Sequence, residues 1–115
     1  MEKILEITLL YDFYGELLTE KQKTVMEMYH LDDYSLQEVA DEFHITRQAV
    51  HDMIKRTEKL LFQYENRLGL VNRFVEQKKN LAKVIEKLDK AVDENNLADK
   101  IAFTEIKQIL SDLVD

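Results

Sequence analysis

An all-α fold follows from three features of the 115-residue sequence: there is no proline, there are only two glycines (Gly15 and Gly69), and apolar residues recur at helical spacing along nearly the whole chain. Hairpins and tight β-connections consume turn residues that this sequence barely has. Hydrophobic content of 45% beside 34% charged residues suits amphipathic helices and argues against disorder. The length holds one compact domain, or a small domain with a helical extension.

The first element covers residues 2–18, where Ile4, Leu5, Leu9, Leu10, Phe13, Tyr14, Leu17 and Leu18 occupy more than one helical face. A helix apolar on most sides is normally buried by a partner. Gly15 marks either a terminus or a close contact. The same stretch is not expected to act as a signal peptide: Glu2, Glu6 and Asp12 bracket it, only Lys3 precedes it, and no small-residue cleavage site follows. Thr19 followed by Gln22 is a capping box that opens a second helix, with Val25, Met26 and Tyr29 on its apolar face and a stop near residues 31–34.

Ser35 and Glu38 repeat the capping box and open a short third helix with Leu36, Val39, Ala40 and Phe43 on one side. Thr46 N-caps a fourth helix whose buried face reads Ala49, Val50, Met53, Ile54, Leu60, Leu61 and Tyr64, mildly interrupted by Thr57. Nothing obliges it to end before residues 66–69. A stripe from Val71 through Phe74, Val75, Leu81, Val84, Ile85, Leu88 and Val92 predicts a fifth helix, and residues 93–96 a turn. Leu97, Ile101, Ala102, Ile106, Ile109, Leu110 and Leu113 predict a sixth.

The third and fourth helices carry the functional signal. Ala40 is small enough for a close helix crossing, Ile45 is an apolar residue in the turn, and Val39, Phe43, Val50 and Met53 line the junction. That is a helix-turn-helix pattern. The outer face of its second helix stays polar, with Arg47, Gln48, His51 and Lys55 at spacings of three and four. The segment from Leu18 to Leu61 resembles the helix-turn-helix of sigma-factor region 4, in its Leu-Thr-Glu-Lys-Gln opening, its Tyr-Ser-Leu-Gln-Glu-Val-Ala run and its Ile-Thr-Arg-Gln-Ala-Val helix start. It departs at the turn, where His44 stands in a position usually filled by glycine, so that His44 must adopt or avoid a left-handed conformation. With the N-terminal Leu-Tyr-Asp-Phe-Tyr-Gly and the Leu-Leu-Phe-Gln-Tyr-Glu linker, the chain through about residue 95 is similar to the small bacterial YlxM family.

That resemblance implies a sigma-like helix-turn-helix protein linked to the signal recognition particle. It implies that Arg47, Gln48, His51 and Lys55 face bases or phosphates and that Ser35, Gln37 and Thr46 sit near the backbone. Arg47 is suited to guanine and Gln48 to adenine, while Lys55, Arg56 and Lys59 neutralise phosphates. Asp52 lies among them and is repelled by a duplex unless it accepts from cytosine or pairs with Lys55 or Arg56.

The net charge of −7 opposes general nucleic-acid affinity. Residues 1–18 carry −3, residues 19–60 carry −3 and residues 61–115 carry −1, but the window 46–59 is locally +2. Binding is therefore confined to one helix face, or the acidic balance serves a basic partner and the helix-turn-helix is a scaffold for an adaptor of the particle's protein or RNA. Catalysis is not expected, since there is no cysteine and no glycine-rich phosphate loop, and Ser35 is explained as a cap. No cofactor is expected, and His30, His44 and His51 lack the spacing of a metal site. No apolar run approaches the ~18 residues of a membrane span. The expected protein is cytoplasmic, with a helix-turn-helix domain over residues 1–66 that includes the N-terminal helix. Residues 67–115 form a C-terminal extension whose apolar stripes call for a symmetry mate, hence a homodimer.

Overall fold

The computed structural model describes residues 2–91 and 97–114. Among these residues six α-helices follow one another: α1 (Lys3–Tyr14), α2 (Glu20–Met26), α3 (Leu36–Phe43), α4 (Arg47–Leu68), α5 (Leu70–Ala91) and α6 (Leu97–Val114), with a 3₁₀ turn over Gly15–Leu17 and a π-helical turn over Glu27–Leu31. The described residues contain no strand.

The helix starts are chemical. Thr19 Oγ1 accepts from the Gln22 amide at 3.2 Å while Gln22 Oε1 accepts from the Thr19 amide at 2.9 Å. Ser35 and Glu38 make the same exchange, both bonds at 3.0 Å, and Thr46 Oγ1 accepts from the Ala49 amide at 3.0 Å. Each cap is worth about 1 kcal/mol. The exits use left-handed residues: His44 at φ 55° ends α3 and Gly69 at φ 64° ends α4. His44 thus adopts the conformation that the missing glycine would have supplied. Between α2 and α3 the chain does not simply stop. It widens into the π turn, where the Asp32 amide bonds the Glu27 carbonyl and the Tyr34 amide the Met28 carbonyl, both at 2.9 Å, and Asp33 takes a positive φ of 58°.

Residues 1–71 form one compact unit. Its core joins Ile7, Leu10 and Tyr14 of α1, Val25 and Met26 of α2, Val39 and Ala40 of α3, and Val50, Ile54 and Leu61 of α4. Full burial of each branched aliphatic chain contributes about 1.5–3 kcal/mol. Two expectations are corrected here. The first helix is not covered on most sides, because it packs along α4 by one stripe, and Ile4, Leu5 and Leu17 are each more than half exposed. Thr57 does not interrupt the buried face of α4: it is fully buried, its hydroxyl donating to the Met53 carbonyl at 2.8 Å, so the hydroxyl is satisfied within its own helix.

The unit reaches Val71 through a small polar network. Tyr14 Oη donates to Glu65 Oε1 at 2.6 Å and accepts from the Leu70 amide at 3.1 Å, while Glu65 Oε1 also accepts from the Val71 amide at 3.0 Å. Two orphan amides at the start of α5 are satisfied in this way.

Residues 72–115 form a second compact unit. Lys107 of α6 bridges to Asp89 of α5 at 2.8 Å. Leu81, Ile85 and Leu88 of α5, with Phe103 and Leu110 of α6, are half-buried, and none of the described side chains in this unit is fully buried. The expected turn at 93–96 lies outside the described residues.

Candidate nucleic-acid interface

The α3–α4 crossing is closed by Val39, Ala40 and Val50, none of which retains measurable exposure, and the Ile45 amide bonds the Ala40 carbonyl at 3.1 Å to tighten the turn. This junction aims the N-terminal half of α4 outward. With about 100° between successive residues, Gln48, Asp52, Lys55 and Lys59 fall along the outward side, with Arg47 and His51 on one flank and Arg56 on the other. All seven are exposed. Ser35, Gln37 and Thr46 are exposed as well. Both hydroxyls serve as helix caps, and Gln37 Nε2 donates to Asp41 Oδ1 at 2.9 Å.

The flanks open onto different surfaces. His51 and Lys55 line a groove of about 560 Å³ together with Lys3, Ile4 and Ile7 of α1, Tyr29 and His30 of the π turn, and Glu58. Arg56 borders a smaller cleft of about 280 Å³ with Thr19, Lys21 and Gln22. Lys21 lies over the Phe43 ring at 5.8 Å. Cations thus stand on both sides of the outward face.

Asp52 is not paired with Lys55 or Arg56. Its Oδ1 accepts from Gln48 Nε2 at 2.9 Å and lies 3.6 Å from His51 Nδ1. Gln48 precedes Asp52 by about one helical turn, so their side chains meet over the same surface. One of the two amide N–H donors of Gln48 is therefore engaged by Asp52, while its second N–H and its Oε1 are not used by that bond.

Two residues absent from the expected site lie beneath it. Glu58 is buried on α4, and His30 Nε2 sits 3.6 Å from Glu58 Oε1 without a hydrogen-bond partner. Burial holds the His30 imidazole below its ordinary pKa, against the opposing pull of Glu58, with Lys55 and Lys3 adding to the depression. A signal for Glu58 existed in the sequence, since it follows Ile54 by four residues and precedes Leu61 by three, within the apolar register of α4. Nothing local marks His30. Among the described residues no group of three or more His, Asp or Glu side chains could hold a metal ion, and no helix is long and apolar enough to cross a membrane.

The profile of UPF0122, helix-turn-helix proteins described as YlxM / p13 like, matches residues 1–104. A UPF0122 protein of Bacillus licheniformis is 50% identical over 93 residues, covering 81% of this chain and 83% of its own. The UPF0122 protein YlxM of Bacillus subtilis is 50% identical over 86 residues, 75% of this chain and 78% of its own. A UPF0122 protein of Listeria innocua is 41% identical over 108 residues, 94% of each chain. With a matching profile over nearly its full length and a helix-turn-helix closed by Val39, Ala40 and Val50, the chain belongs to the YlxM / p13-like UPF0122 family.

Proposed function

We propose that the chain is a non-enzymatic, cytoplasmic regulator that binds DNA through the N-terminal half of α4 and dimerises through residues 67–115. The observation that carries the DNA reading is the contrast across α4: a closed apolar junction beneath, and Arg47, Gln48, His51 and Lys55 exposed above it. In this reading Arg47 pairs with guanine and Gln48 with adenine. Lys55, Arg56 and Lys59 neutralise phosphates, and Ser35, Gln37 and Thr46 lie along the backbone. Neutralising about 4–6 phosphates gives an expected salt slope of about −4 to −5. Arg47→Ala with Lys55→Ala should abolish a sequence-dependent gel shift while leaving helicity by circular dichroism intact; undiminished binding refutes this readout.

Dimerisation is supported by the apolar residues that the C-terminal helices leave outside: Ile101, Ile106, Ile109 and Leu113 are all exposed. The full chain is then a dimer by light scattering, and truncation after Val71 yields a monomer. A truncated chain that remains dimeric moves the interface to residues 1–71.

A second reading, an adaptor of the signal recognition particle's protein or RNA, is favoured by charge. Residues 1–45 carry three basic and eleven acidic side chains, a net of −8, which suits a basic partner. A pull-down with the particle's protein and RNA, with and without nuclease, tests it, and recovery of neither counts against it.

A further inference from the structure

Helix α1 carries a second apolar face beside the one that enters the core. Ile7, Leu10 and Tyr14 point inward, while Leu5, Leu9 and Phe13 repeat every four residues on another side, and Leu17 continues that spacing into the 3₁₀ turn. Residues four apart stack above one another on a helix. Leu5 and Leu17 are each 55% exposed and Phe13 is 37% exposed, with Leu9 half-buried between them. Apolar residues scattered singly need no explanation, but a continuous stripe over three turns marks an interaction surface.

The charge around the stripe selects its occupant. Glu2, Glu6, Asp12 and Glu16 all lie on or beside α1, Glu20 follows, and the only basic residue of α1 is Lys3, which lines the groove beside α4. Lys23 of α2 is already bridged to Glu16 at 3.1 Å and to Glu20 at 3.5 Å. A second copy of α1 laid on this stripe, parallel or antiparallel, would set carboxylates against carboxylates, and like charges across an interface are costly. A helix with an apolar face and lysine or arginine flanks meets the opposite condition: its apolar side covers the leucines and its cations meet the acid rim. We propose that the Leu5–Leu9–Phe13–Leu17 face of α1 is a docking surface for a basic amphipathic helix of a partner protein. The surface is separate from the outward face of α4, so it does not depend on whether α4 binds DNA.

The test uses the full chain and a fluorescein-labelled synthetic leucine–lysine amphipathic helix, with two control peptides: one with glutamate for lysine, one with serine for leucine. The leucine–lysine peptide binds by anisotropy, and neither control does. Leu5→Ser with Leu17→Ser weakens binding by about tenfold or more, as expected for central apolar anchors. Asp12→Asn with Glu16→Gln slows association and reduces the salt dependence. Arg47→Ala with Lys55→Ala leaves peptide binding unchanged, which separates this surface from the α4 reading. Circular dichroism of each variant confirms that the helices persist; these side chains are exposed, so the fold is retained. Equal binding of the serine–lysine control, or unchanged binding by the Leu5→Ser, Leu17→Ser variant, overturns the proposal. So does sedimentation showing that this variant loses a wild-type dimer, because the stripe then belongs to a second copy.

Discussion

Tyr14 donates its phenolic proton to Glu65 at 2.6 Å across 51 positions of sequence, and the same oxygen of Tyr14 accepts the Leu70 amide at 3.1 Å. One hydroxyl therefore ties α1 to the end of α4 and to the start of α5. Burial, together with the Glu65 carboxylate, raises the Tyr14 pKa, so the phenol stays protonated and continues to donate.

Tyr14→Phe keeps the ring and its packing but leaves the Leu70 amide without its acceptor and removes one of the donors to Glu65, which keeps the Val71 amide. Loss of a buried hydrogen-bond partner costs about 1–3 kcal/mol. The expected result is a lower urea midpoint with an unchanged denaturant slope. A midpoint equal to wild type would show that water replaces the hydroxyl at no cost.

His30 makes stability depend on pH. Its folded pKa lies below the ordinary value of 6.5, so near neutrality neither the folded nor the unfolded imidazole is charged and stability is at its full value. As the pH falls through about 6.5 the unfolded chain takes up the proton first, and stability is lost until the pH reaches the lower folded value. The urea midpoint should therefore decline on acidification in this window, ahead of carboxylate titration, and His30→Gln should flatten the decline. Equal slopes in the two proteins would remove His30 as the cause.

His44 holds φ 55° and ψ 42° at the end of α3, a conformation costing an ordinary L-residue roughly 1–2 kcal/mol. His44→Gly should raise stability by about 0.5–1 kcal/mol, the relief of that strain being partly offset by the greater freedom of glycine in the unfolded chain. His44→Ile, branched at Cβ, should lower it by about 1–2 kcal/mol. Chemical denaturation of the pair decides, and the opposite order would mean that the turn relaxes out of the left-handed region.

Asp52 places a carboxylate on the outward side of α4. If that side meets DNA, Asp52→Asn removes a like charge while preserving an acceptor for Gln48. A unit charge at contact distance is worth about 1 kcal/mol in water, or roughly fivefold in affinity. Tighter binding of a duplex at low salt, fading at high salt, is the expected outcome in fluorescence anisotropy. Weaker binding would show that the carboxylate accepts from a cytosine instead.

The amino-acid sequence by itself determined the elements whose cause is local. Thr19 with Gln22, Ser35 with Glu38, and Thr46 announce three helix starts, because a cap needs only residues within one turn of each other. The helix-turn-helix was legible for the same reason: Ala40, Ile45 and Val50 lie within eleven consecutive residues, and their sizes and polarity specify the crossing. Tertiary structure alone decided what depends on distant partners. Whether Leu5 or Ile7 of α1 is buried cannot be read from a segment apolar on several sides; the packing of α1 along α4 chose Ile7, Leu10 and Tyr14 and left a leucine stripe outside. Glu58 and His30 became neighbours only when the π turn met α4, and Tyr14 found Glu65 only when the chain returned. Burial and pairing of polar groups are properties of contacts made after folding, whereas capping and periodicity are properties of the chain before it folds.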